Sequence, residues 1–321
     1  MRVTIPRLRG ALIPFVAVIA VLAVLPIAGA PQQWLLYLFL FFVYLAIANM
    51  WNLLAGYSGL ICLCLPAFSG LAGYTMIMGT WVGLPIYLGI IAGAGVAAAF
   101  ALLISIPVFR LRGIYFAIGT IVVPEALKYV FLIWRPVGGA LQGGGAGYVL
   151  KGAAQFSTGG IYWLALGIGI ASIFLMRLIL RSKLGLGLAA IRDNDSTAAS
   201  SGINVFRLKL YSFVIAAFIT GIAGSVFYIH QAYIEPLSAF NISWTMIAML
   251  GVVIGGLRIE IGPIIGTVVV TMLHFLLARY AGYSLIIQGI ILVSIMLAAP
   301  QGIMGLIRRI RASRSPVTVS H

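Results

Sequence analysis

The chain alternates long apolar runs with short polar turns. A helix that crosses a bilayer needs about 20 mostly apolar residues. Stretches of that kind fall at 11–30, 34–54, 59–80, 84–107, 113–134, 160–180, 209–230, 243–257, 262–280 and 283–306. The pattern predicts an all-α polytopic membrane protein of about ten helices, built as one transmembrane domain over 1–321. The first run follows Arg2, Arg7 and Arg9 and lacks a small-residue cleavage site before the second, so it reads as a retained helix and not a signal peptide. The eighth is short and rich in glycine and can equally be broken or re-entrant. One polar island, residues 181–209 (RSKLGLGLAAIRDNDSTAASSGINVFRLK), stands between the sixth and seventh runs.

Composition agrees with that pattern. The chain is 63% hydrophobic and only 8% charged, where soluble domains carry about 25% charged residues. Its net charge is +15, but the basic residues sit at the edges of apolar runs, as membrane topology requires, and form no stripe for nucleic acid. With the N-terminus in the cytoplasm, alternation puts Arg110 and Arg112, the island, Arg258 and the tail Arg308, Arg309, Arg311 and Arg314 on the cytoplasmic side. The Gly-rich segment 138–160 falls outside, so both termini are expected in the cytoplasm. Cys62 and Cys64 have no His or Cys partners at metal spacing and read as small packing residues in a helix; no metal site is expected. Many of the 38 glycines lie inside apolar runs, where small residues let helices approach closely.

Candidate chemistry is sparse. No linker exceeds about 30 residues, too short for an independent domain of the usual 50 or more. No phosphate-binding G-x-x-x-x-G-K-[ST] loop, G-x-S-x-G elbow or H-E-x-x-H helix occurs, so the chain reads as neither an ATPase nor an enzyme, and no bound cofactor is expected. Two interrupted segments stand out. Gly56-Tyr57-Ser58-Gly59 opens the third run, which Pro66 then breaks; Gly255 and Gly256 precede Arg258 and Glu260. Such breaks point to a transport pathway, or else to ordinary kinks and tight turns. Glu125 lies in the fifth run one turn from Lys128 and is either a pathway residue or half of a structural ion pair. His274 is a lone histidine in the ninth run. Intramembrane carboxylates are too few for a proton-coupled carrier, leaving ATP drive by another chain or a passive facilitator or channel.

The island itself predicts a short helix of about three turns, bracketed by Gly185 and Gly187 before it and Gly202 after it. Leu184, Leu188 and Ile191 recur at helical spacing, and Ala189, Ala190, Ala198 and Ala199 keep the surface small. A small apolar helical face suits the groove of a soluble partner; the competing reading is a helix lying on lipid, for which these alanines are a weak anchor.

Several blocks carry a family likeness: NLLAGYSGL (52–60), RLRGIYFAIGT (110–120), GLGLAAIRDND with AASSGINVFRLK (185–209), GGLRIEIGPIIG (255–266), and the closing LIIQGIIL and APQGI. The chain resembles the M-type permease subunits of ABC importers for branched-chain amino acids. That resemblance implies a multi-pass protein of the bacterial inner membrane and a second, H-type permease subunit beside it. It also implies two cytoplasmic ATPase subunits carrying ATP and Mg, and a periplasmic substrate-binding protein. It makes 185–205 the ATPase-coupling segment, with Gly185, Ala189, Ile191, Arg192, Asp193, Ala198, Ala199 and Gly202 as its contacts. Thr197 stands where the import motif has Glu. The chain also departs from the family at Cys62 and Cys64-Leu65-Pro66, at Arg258-Ile259, and at QGGGAGYV (142–149). Relatives of this group take urea, short amides, or aromatic or dicarboxylic acids, so these substrates stay open beside leucine, isoleucine and valine. A pathway lined by Gly, Ser, Tyr and aliphatic groups suits a small neutral or zwitterionic ligand.

Overall fold

The computed structural model describes residues 17–137, 142–152, 156–277, 284–298 and 302–305. The predicted tail arginines and the remainder of the first run lie outside the described residues. Helical residues 17–24 (α1) are followed by α2 (Gln32–Trp51), α3 (Leu65–Trp81), α4 (Ile86–Val108), α5 (Ile114–Ile133) and α6 (Thr158–Arg181). The island folds as α7 (Lys183–Asp193) and α8 (Asp195–Ser200). Then come α9 (Val205–Gln231), α10 (Pro236–Ala239), α11 (Ser243–Gly255), α12 (Gly262–Leu277) and α13 (Ser284–Ala298). Among the described residues six helical stretches are long and apolar enough to cross a membrane: 32–57, 86–108, 114–133, 158–181, 205–231 and 236–255. Leu65–Trp81 holds 17 residues and Ser284–Ala298 holds 15, below that length.

α2 is the central post. It packs against α6, α9, α11 and α12, and nearly all its residues from Phe39 to Trp51 are buried. Asn49 in α2 donates to the Ser172 hydroxyl in α6 at 3.0 Å, a polar tie inside an apolar core. α9 lies against α3 and α4 through small residues; a Cβ on Gly224 would stand 2.6 Å from the Ser69 Cα. Such close approach gives membrane helices the dispersion contact that lipid does not drive. α5 is the opposite case. It keeps Ile114, Ile118, Val122 and Ile133 exposed, an apolar face turned away from the rest of the chain.

Three expectations are corrected. Gly56-Tyr57 does not open a helix: residues Asn52–Tyr57 extend α2 as a π-helical turn, and 58–64 is non-helical. Pro66 lies in the first turn of α3 and does not break it, because an N–H there would have no intrahelical acceptor to lose. Cys62 and Cys64 therefore lie outside any helix interior, buried with their sulfurs 3.1 Å apart. The 58–64 segment folds back into the core, where its backbone is met by side chains. Trp51 Nε1 donates to the Cys62 carbonyl, Leu63 N–H to Thr120 Oγ1, and Thr245 Oγ1 to the Leu63 carbonyl. Non-helical backbone at membrane depth requires such partners. One short ladder stands beside the helices. Tyr148–Val149 (β1) pairs antiparallel with Tyr233–Ile234 (β2).

The ladder and the island mark opposite ends of the bundle. α6 and α9 each run between them, α6 reaching α7 and α9 reaching β2. Trp81, at the end of α3, donates to the Val149 carbonyl, so it belongs to the ladder end.

Candidate functional site

At the island end, three polar caps divide the loop. Ser182 accepts from the Leu184 N–H and starts α7. Asn194 accepts from the Ser196 and Thr197 N–H groups and starts α8. Asn204 accepts from the Arg207 N–H and starts α9. Each side chain satisfies donors a helix start leaves free. One predicted helix is therefore two, with an elbow at Asn194. Gly185 and Gly187 are buried inside α7 and do not precede it; a Cβ on Gly185 would stand 2.6 Å from the Leu180 carbonyl oxygen at the α6 end.

The apolar face expected to enter a partner's groove faces inward. Leu188 packs with Leu53, Met176 and Ile179, and Ile191 is buried too. What α7 presents outward is Lys183, Leu186 and Asp193, and what α8 presents is Asp195, Ser196, Thr197, Ala199 and Ser200. Ala198 and Ala199 point apart: Ala198 is buried and Ala199 exposed. Lys209 holds Asp195 at 2.5 Å and Arg192 holds Asp193 at 2.6 Å, fixing the elbow's charges locally. Gly202, at φ +82°, ends the elbow in open space. A cleft of about 700 Å³ separates the elbow from the α4–α5 turn, with Gly59, Arg112, Arg192 and Lys209 on its walls.

The two interrupted segments meet beneath this elbow. Asn52 accepts from the Arg258 N–H at 3.2 Å and donates to the Ile259 carbonyl at 3.4 Å. Tyr57 donates its hydroxyl to the Arg258 carbonyl at 2.9 Å. Arg258 has φ 67°, a left-handed conformation that these bonds help hold. Glycine permits the approach: a Cβ on Gly255 would fall on the Gly262 carbonyl, and one on Gly266 on the Gly251 carbonyl. Glu260 pairs with Arg177 of α6 at 3.4 Å. Leu53, one residue from Asn52, is also the floor on which Leu188 sits. One short π-helical turn thus touches both the elbow and the α11–α12 turn.

At the ladder end, α2, α9, α11 and α12 enclose a second hollow of about 400 Å³, walled by Tyr44, Tyr228, Glu235, Trp244 and His274. Burial, then the Glu235 carboxylate, pushes the Tyr233 phenol upward at its rim.

The profile of the family described as branched-chain amino acid transport system, permease component, matches residues 34–300. The chain belongs to this family. The high-affinity branched-chain amino acid transport system permease protein LivM of Escherichia coli is 27% identical over 298 residues, covering 83% of this chain and 68% of that protein. The probable branched-chain amino acid transport permease protein LivH of Methanocaldococcus jannaschii is 27% identical over 164 residues, covering 48% of this chain and 49% of that protein. The ribose import permease protein RbsC of Bacillus subtilis is 26% identical over 190 residues, 56% of this chain and 57% of that protein. No solved structure matches.

The permease is a multi-pass membrane protein, and its matched region contains both ends of the bundle described above. Of the residues predicted from sequence, Gly56, Tyr57, Gly255 and Gly256 converge at the Asn52 junction, and Gly59 lies beside Arg192. Ser58 is buried nearby, its hydroxyl on the Leu54 carbonyl. Glu125 is not brought to that junction. It pairs with Lys128 and lies beside Phe240 and Ile242. Sequence reasoning missed Asn52 and Glu235. Asn52 opens the NLLAGYSGL block and is a lone amide in an apolar run; Glu235 is one of only five carboxylates in the chain.

Proposed function

We propose that this permease is the M-type subunit of an ATP-driven importer for branched-chain or related small amino acids in the bacterial inner membrane. It crosses the membrane about ten times, with both termini and the α7–α8 elbow in the cytoplasm. An H-type permease lies beside it, two ATPase subunits dock on the elbow, and a periplasmic binding protein hands substrate to the ladder end. ATP and Mg belong to the ATPases; this chain binds no cofactor and does no chemistry.

The elbow carries this reading. The outer face of α8 is small and polar, suited to a protein cleft, while the inner face of α7 is packed on the π-helical turn of α2. A push on the elbow therefore reaches the α11–α12 turn through Leu53 and Asn52. A passive pore needs no such lever. Charge supports the orientation: Arg110, Arg112, Arg181, Lys183, Arg207 and Lys209 gather at the elbow end.

Reconstitution tests the reading. The permease pair, ATPases and binding protein in liposomes should accumulate leucine only with ATP and only when the ATPases are present. Equilibration of leucine by the permease pair alone would replace this reading with a facilitator.

A further inference from the structure

We propose that the hollow at the ladder end binds the ammonium group of a zwitterionic α-amino acid, with Glu235 as its counter-ion. The inference rests on the importer reading and adds to it a place and a chemistry for substrate within the permease.

The carboxylates lead to it. Glu125 pairs with Lys128, Asp193 with Arg192, Asp195 with Lys209, and Glu260 with Arg177. Among the described residues Glu235 alone of the five has no cation within ion-pair distance. It occupies the N-cap of α10, where an acidic side chain ordinarily accepts from the helix's free N–H groups. Here it makes no cap hydrogen bond, and Pro236 follows it. A half-buried carboxylate with neither cation nor cap is costly unless water or a ligand serves it.

The surroundings select what that ligand is. Phe227 and Trp244 meet edge to face at 4.7 Å, and Trp244 is held by its Nε1 donating to the Ser238 carbonyl at 3.3 Å. The Tyr228 hydroxyl is buried on the same wall without a hydrogen-bond partner among the described residues. Aromatic faces beside a carboxylate attract a cation by charge and ring quadrupole together. Ile247 and the rings supply apolar wall for an aliphatic side chain, and the amides of Gln231 and Asn241 at the rim are donors for the ligand's own carboxylate. The volume, about 400 Å³, lies in the range of small-molecule pockets, roughly 300–1,000 Å³. A dicarboxylate would meet Glu235 with like charge, and urea would leave that charge unpaired.

The test uses the complete transporter in liposomes with radiolabelled leucine. Glu235→Gln should cut uptake about ten- to a hundredfold, the worth of one charge-assisted hydrogen bond. Assembly and binding-protein-stimulated ATP hydrolysis should stay near wild type, which separates loss of a substrate contact from loss of the fold. Uptake by an assembled Glu235→Gln complex at the wild-type rate overturns the site while leaving the importer reading intact. If Glu235→Gln fails to assemble, Glu235→Asp decides: a raised KM for leucine supports the site, and an unchanged KM overturns it. If the wild-type complex accumulates no amino acid at all, the importer reading fails and the site fails with it.

Discussion

The two ends of this permease handle polarity in opposite ways. At the elbow end both carboxylates of the elbow and all three helix starts are answered within the chain: Asp193 by Arg192, Asp195 by Lys209, the helix starts by Ser182, Asn194 and Asn204. At the ladder end Glu235 and the Tyr228 hydroxyl face a hollow without partners among the described residues. A self-satisfied end is stiff and passes on a displacement. An end with unmet groups gains from a ligand. On the proposed reading, the difference gives force to one end and recognition to the other.

The largest effect should come from removing the close approach that holds the stiff end together. Gly255→Val places a side chain onto the Gly262 carbonyl with no room to relax, since the obstacle is backbone. The expected outcome is loss of the folded permease, read as failure to recover monodisperse protein from membranes. Recovery at the wild-type yield would show that α11 and α12 do not need this contact.

A smaller effect should follow Asn52→Ala. It orphans the Arg258 N–H and the Ile259 carbonyl, each costing about 1–3 kcal/mol when buried and unpaired. Thermal unfolding in detergent should shift downward by several degrees while the complex still assembles, and uptake should fall more than ATP hydrolysis. An equal fall in both would mean that Asn52 serves stability alone.

Much of this fold was legible from apolar run length. Every predicted run overlaps a described helix, and six of the described helical stretches are long and apolar enough to cross a membrane. The caps were not read: Ser182, Asn194 and Asn204 each start a helix, but hydroxyl and amide side chains are equally at home in a polar loop that folds otherwise. Asn194 shows where the reading stopped short: spacing of Leu184, Leu188 and Ile191 suggested one helix and hid the second. The direction of that apolar face was not legible. Amphipathic spacing says that Leu188 is buried, and only the tertiary structure says that Leu53 and Met176 bury it. The junction at Asn52 joins residues 206 apart, beyond any local pattern. Pro66 was misread because proline within an apolar run signals a break equally with a first turn. Glu235 was passed over because a carboxylate just past an apolar run looks like a solvated flank.

The central claim is that the elbow transmits force from an ATPase, and neighbouring alanines test it. Ala199 is exposed on α8 and Ala198 beside it is buried, so Ala199→Arg alters the outer face without touching the packing beneath. Leucine uptake and ATP hydrolysis should be measured together in the reconstituted complex. The expected result is permease recovered at the wild-type level with uptake reduced about tenfold or more, because a large charged side chain holds the two surfaces apart. Wild-type uptake by Ala199→Arg at wild-type complex levels would contradict the claim and leave the elbow as a mere connector.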